Sequence, residues 1–121
     1  VKIKNAVKNG EEYITLFGDG TPLRQFMHSK DLANIIKLTI DNNIYDNLNI
    51  APNKNLTINE MAEMALVSTN NEHLKIVYEN SMPDGQHRKD ICTKRLNNLL
   101  PNYKFIELQD GLKDVYLKLE L

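Results

Sequence analysis

Five residues constrain this chain more than any others: Gly18-Asp19-Gly20-Thr21-Pro22. Glycine reaches positive φ without a Cβ clash, and proline fixes its own φ and lacks an N–H, so no regular element runs through such a stretch. The run before it, Tyr13–Phe17, is short, aromatic and β-branched and reads as a strand. The run after it, Arg24–His28, reads as extended. A tight turn between two extended segments is therefore expected here. The same residues exclude a nucleotide loop. A dinucleotide fingerprint needs a third glycine where Leu23 stands, and no Gly-Lys-Ser/Thr follows. With Pro22 and an extended segment next, no helix N-terminus is aimed at a phosphate.

The pattern on either side alternates helix and strand. Val1–Asn9 places Ile3, Ala6 and Val7 on one helical face, and Asn9-Gly10 closes it. A second helix, capped by Ser29 or Asp31, carries Leu32, Ile35, Ile36, Thr39 and Ile40 at helical spacing and ends at Asn42-Asn43. Leu48–Ala51 reads as a short strand before Pro52. Thr57-x-x-Glu60 is a capping box ahead of Met61, Ala62, Met64 and Ala65. Leu74–Tyr78 alternates as a strand, and Ser81–Asp90 is a polar loop pivoting on Pro83-Asp84-Gly85. A helix over Thr93–Leu100 stops at Pro101, and the tail from Asp110 sets Leu112, Val115, Tyr116 and Leu119 at helical intervals. The reading is one small α/β unit of 121 residues, without repeats, low-complexity tracts or linkers. It opens at Val1, already inside a helix, which suggests a piece of a longer chain; proteolytic processing or removal of a tag would leave the same start.

Charge excludes some partners. Fifteen Lys and Arg stand against 16 Asp and Glu, and this balance lacks the basic excess of a phosphate-backbone binder, so nucleic acid is not expected. The apolar run Leu32–Ile40 is broken by Asn34 and Lys37, far short of a membrane span, and no membrane partner is expected. The lysines at the start precede no apolar core, so no signal peptide is expected in this stretch. One cysteine, Cys92, excludes an internal disulfide framework and a Cys-rich zinc site, and a cytoplasmic, reducing setting is expected.

A self-contained catalytic centre is absent too. His28, His73 and His87 lack metal-ligand spacing; His28 reads as a hydrogen-bonded structural histidine and His73 as solvated. Cys92, beside Ile91, reads as a small core hydrophobe rather than a nucleophile. Two segments have the chemistry of a binding surface. In the first, Phe17 offers a face for a base or sugar, and Arg24 a planar fork suited to phosphate. Core packing for Phe17 and a surface salt bridge for Arg24 are the bland alternatives. In the second, Pro83-Asp84-Gly85-Gln86-His87-Arg88-Lys89-Asp90 joins a carboxylate to three basic side chains, as a clamp for a hydroxylated anion or as a solvated turn.

These segments carry a resemblance. Ile14–Ala33, with its Gly-x-Gly turn, Arg24-Gln25-Phe26 and Asp31-Leu32-Ala33, resembles the C-terminal part of extended short-chain dehydrogenase/reductases acting on nucleotide sugars. Leu48-Asn49-Ile50-Ala51 is similar to the strand that follows in them, with Ala51 in place of the usual glycine. The run Ser81–Lys89 with Lys94-Arg95-Leu96 resembles the GDP-L-fucose synthase branch of that family. The resemblance implies a fold: a small C-terminal substrate-binding domain, residues 1–121, with the Rossmann domain missing. It implies a function: NADP-dependent epimerisation at C3 and C5 and reduction at C4 of GDP-4-keto-6-deoxy-mannose, in polysaccharide biosynthesis. It implies roles as well. Phe17 lines the nucleotide or sugar pocket, keeping the face of the family's frequent tryptophan without its N–H. Arg24 meets the diphosphate, Asp84 accepts from substrate hydroxyls or base, Lys89 holds the anion, and Gly20 and Thr21 shape the wall.

The family's catalytic Tyr-x-x-x-Lys is absent: four residues after Tyr13, Tyr45, Tyr78, Tyr103 and Tyr116 stand Phe17, Asn49, Met82, Glu107 and Glu120. The resemblance therefore assigns NADP to an N-terminal Rossmann domain, the expected partner, and leaves these residues alone catalytically silent. An apolar edge that such a domain covers in the family leads to a homodimer or partner-dependent packing as the expectation. Three other readings stay open: the substrate domain of another nucleotide-sugar epimerase, dehydratase or reductase; a stand-alone non-catalytic module; and a purely structural interaction domain.

Overall fold

The computed structural model describes residues 1–81 and 85–120. Helix α1 (Lys2–Asn9) ends on Gly10 at φ 67°, where Gly10 N–H meets Val7 O at 3.2 Å and Glu11 N–H meets Ala6 O at 2.9 Å. That pair of bonds is the Schellman closure that a glycine after the last turn permits. Strand β1 (Tyr13–Phe17) follows, then β2 (Leu23–Arg24), α2 (Ser29–Asp41), β3 (Leu56–Thr57), α3 (Ile58–Ser68), β4 (Lys75–Glu79), α4 (Lys94–Leu99) and α5 (Leu108–Lys118). β1 and β4 run parallel, Tyr13 opposite Lys75 and Phe17 opposite Glu79. A parallel pair needs a long crossover, and everything from the glycine turn to α3 supplies it. β2 and β3 pair antiparallel inside that crossover, Leu23 opposite Thr57.

Ala6, Ile14, Leu66 and Leu74 form the core under the parallel pair, with Ile3 and Ile76 packed against them. The α3 start is fixed locally. Thr57 Oγ1 accepts from Glu60 N–H at 3.0 Å, and Glu60 Oε2 accepts from Thr57 N–H at 2.7 Å. Those bonds favour the ionised carboxylate and hold Glu60 below its ordinary range. Thr57→Ala removes the hydroxyl and leaves one helix-start N–H to water; urea unfolding is expected to show a loss of about 1 kcal/mol.

The structure departs from the sequence expectations at four places. His28, not Ser29 or Asp31, caps α2, its Nδ1 accepting from Lys30 N–H at 3.1 Å. Asp31 turns inward instead and is 1% exposed. On α2 only Ile35 of the periodic apolar residues is buried; Leu32, Ile36 and Ile40 are exposed because nothing among the described residues covers that side. Leu48–Ala51 forms no strand, since no neighbouring strand bonds to it. Cys92 is exposed rather than core, in a stretch held by main-chain bonds: Asn49 Nδ2 donates to Cys92 O at 3.2 Å, and Gln25 Oε1 accepts from Ile91 N–H at 2.8 Å. His73 is exposed, as expected. Among the described residues no helix is long and apolar enough to cross a membrane.

Candidate functional site

The turn after β1 is built by its glycines and held by α3. Gly18 and Gly20 take φ of 76° and 77°. Gly18 N–H donates to Glu79 O at 3.1 Å, which ties the turn to β4. Asp19 Oδ1 accepts from both the N–H and the hydroxyl of Thr21, at 2.8 and 2.7 Å, and these bonds hold the Asp19 carboxyl below its ordinary range. The first N–H groups of α3 are spent on this turn: Asn59 N–H meets Gly20 O at 2.9 Å and Ile58 N–H meets Pro22 O at 3.0 Å. They are not available to a phosphate.

Beneath Gly20 lies a residue that sequence reasoning passed over. A Cβ at Gly20 would stand 2.6 Å from Tyr78 Cε1, so the ring and the turn backbone are in direct contact. Tyr78 O–H donates to Asn59 Oδ1, and Asn59 Nδ2 donates to Glu63 Oε1 at 2.9 Å. Burial, with the charges of Glu63 and Asp19 behind it, pushes the Tyr78 phenol up. No local signal in the sequence marks this set, because Tyr78 and Asn59 lie 19 residues apart.

Phe17 is not a core residue: it is 59% exposed at the end of β1, with Lys2 Nζ 4.6 Å from its ring centre. Arg24 makes no salt bridge among the described residues. Its Nη1 donates to Leu23 O at 2.6 Å and faces His87 O at 3.5 Å, and its Nη2 donates to Gln86 O at 2.8 Å. Leu23 N–H donates to His87 O at 2.8 Å, and Leu23 forms a bridge with Arg88. Gln25 bonds Pro52 O at 2.8 Å and Ile91 N–H at 2.8 Å, anchoring the far end of the loop. Lys89 is exposed on this loop, and Arg88 is paired with Asp90 at 2.5 Å. Asp84 lies outside the described residues.

The structure thus brings Phe17, Gly20, Thr21 and Arg24 onto one strand–turn–strand unit and fastens the Lys89 loop to it. A cavity of about 340 Å³ lies elsewhere, walled by Phe26, Met27, Leu56, Met64, Phe105 and Ile106; none of Phe17, Gly20, Thr21, Arg24 and Lys89 lines it. Phe17, Arg24 and Lys89 supply an aromatic face, a guanidinium and an ammonium, groups whose chemistry suits an anionic ligand with a flat part. Among the described residues no cluster of His, Cys, Asp or Glu suits a metal.

Residues 2–51 match the model of the NAD dependent epimerase/dehydratase family. A probable GDP-L-fucose synthase of Drosophila melanogaster is 32% identical over 114 residues, which are 90% of this chain and 35% of that protein. The chain spans about a third of the length of the curated relatives it matches. A GDP-L-fucose synthetase of Naegleria fowleri superposes with a TM-score of 0.83 at 24% identity, over 93% of this chain and 35% of that one. The same enzyme bound to NADP gives 0.81 at 22%, over 97% and 39%. At those identities the likeness is one of fold.

Proposed function

The chain is a relative of the GDP-L-fucose synthases in the NAD dependent epimerase/dehydratase family, and from that premise we propose that it is their C-terminal substrate-binding region, a GDP-sugar its ligand. The observation that carries this is the attachment of the basic loop to the glycine turn through β2, by the Leu23–His87 and Arg24–Gln86 bonds. It joins the stretch that carries Phe17 and Arg24 to the distant stretch that carries Lys89, which supports reading the three as one binding surface. Arg24 and Lys89 hold the diphosphate, Phe17 offers its face to the nucleotide or sugar, and Gly20 and Thr21 form the wall. Asp84 would accept from hydroxyls or base.

In the parent enzyme this region presents GDP-4-keto-6-deoxy-mannose for epimerisation at C3 and C5 and reduction at C4. A separate nucleotide-binding domain supplies NADP and the Tyr-x-x-x-Lys pair, which no tyrosine here provides. Residues 1–121 alone bind without turning over. The exposed Leu32, Ile36 and Ile40 on α2 give that domain, or a second copy in a homodimer, an apolar face to cover.

Equilibrium dialysis of the chain with GDP, UDP and dTDP tests the reading. GDP is expected to bind in preference, and Lys89→Ala to weaken it roughly tenfold, the worth of one charge-assisted bond. Equal binding of the three nucleotides, or an unchanged affinity in Lys89→Ala, would overturn it.

A further inference from the structure

We propose that Arg24 is a positioning residue: its guanidinium sets the shape of the 86–91 loop before any ligand arrives. Three main-chain carbonyls converge on it, from Leu23, Gln86 and His87, at 2.6, 2.8 and 3.5 Å. The last two lie 62 and 63 residues away in sequence. The loop carries Lys89 and an Arg88 already paired with Asp90. Its backbone dipoles favour the guanidinium, because these carbonyls turn toward it.

The choice of acceptor matters. A carboxylate partner would cancel the charge of Arg24, whereas carbonyls hold the guanidinium in place and leave it a full cation. Three of its five N–H groups are spent on these carbonyls, and two remain for an anion. Lysine cannot replace it, since one ammonium cannot span carbonyls from both sides of the β2–loop junction. Gln25 completes the arrangement by gripping Ile91 N–H, so consecutive residues of one short stretch hold both ends of the loop.

Amide hydrogen exchange in the chain without ligand reads the proposal directly. In Arg24→Met, which keeps the apolar stem, exchange at Leu23 and Ile91 is expected to quicken roughly tenfold, with Arg24→Lys close to it. The Leu66 amide in α3 stays at the wild-type rate and separates this local effect from a global one. Unchanged exchange at Leu23 and Ile91 in Arg24→Met would overturn the proposal, as would equal quickening at Leu66.

A consequence for binding rests on the reading above. The GDP affinity lost in Arg24→Met plus Lys89→Ala should be less than the product of the two single losses, because a loosened loop has already misplaced Lys89. Fully multiplicative losses would mean that Arg24 serves the ligand alone. Should the wild-type chain bind no nucleotide, the functional reading fails while the exchange result still decides the role of Arg24.

Discussion

Gly20→Ala is expected to destabilise the chain by about 3 kcal/mol, a large effect for the addition of one methyl group. Two independent costs meet at this position. The backbone φ of 77° lies in the left-handed region, where a Cβ meets the following carbonyl and costs roughly 1–2 kcal/mol. The added Cβ would also fall 2.6, 2.9 and 2.9 Å from Cε1, Cζ and Oη of Tyr78, and such overlap costs about 1–3 kcal/mol. The ring cannot simply swing away, because Tyr78 O–H is held by Asn59, whose own N–H carries the bond to Gly20 O.

The two costs can be separated. Tyr78→Ala opens the space without changing φ, so the double variant should be more stable than the sum of the single losses by at least about 1 kcal/mol. Urea unfolding of the four proteins gives the cycle. A Gly20→Ala variant within about 0.5 kcal/mol of wild type would show that the turn yields freely, and the contact with Tyr78 would then fix nothing. The same displacement moves Thr21 and Leu23, so weaker loop attachment should accompany the loss of stability.

What could be read in the sequence was what neighbouring residues decide. The Thr57–Glu60 box, the Gly10 stop and the Gly18–Pro22 turn each need only four or five residues, and each stands where expected. The β1 run was legible from its aromatic and β-branched residues and the β4 run from its alternation, though not that they pair in parallel across the whole crossover. Burial was less legible. Helical spacing puts Leu32, Ile36 and Ile40 on one face but does not say what covers it, and here they stay exposed. Cys92 was misplaced for a related reason: an apolar neighbour suggested a core, while main-chain bonds from Asn49 and Gln25 hold that stretch at the surface.

The candidate site divides in the same way. Phe17 and Arg24 stand out beside the turn by their chemistry, with core packing and a salt bridge as alternatives, whereas the roles of Gly20, Thr21 and Lys89 come from the resemblance. The partners that place them were not found. Tyr78, Asn59 and the carbonyls of Gln86 and His87 reach the turn only through the fold. A basic residue's type is written in the sequence; the backbone oxygen it will meet is not.

Asp31→Ala is expected to be as damaging as the glycine change, about 3 kcal/mol, by an opposite mechanism: it removes an acceptor rather than adding bulk. Asp31 is 1% exposed, an unusual position for a carboxylate. Its Oδ1 accepts from Tyr103 O–H at 2.8 Å, and Ile106 N–H lies 3.3 and 3.2 Å from Oδ1 and Oδ2. The first turn of α2 adds the positive end of a 13-residue helix, which favours the negative charge. Burial and the bond to Asp31 push the Tyr103 phenol up, so it stays protonated and keeps donating. These bonds tie the connection between α4 and α5 to α2, and through α5 to α3 and the turn that α3 holds. Alanine would strand the Ile106 N–H and leave the Tyr103 hydroxyl only the main-chain carbonyl of residue 31, at 3.4 Å in the wild type, and each lost bond costs about 1–3 kcal/mol if no water replaces it. Tyr103→Phe deletes one donor and leaves the carboxylate its other two supports, so a smaller loss of about 1 kcal/mol is expected. The order of the two variants in thermal or urea unfolding is the test. Equal, small losses would mean that water takes over the stranded groups, and that the carboxylate does not fasten the C-terminal segment to the fold.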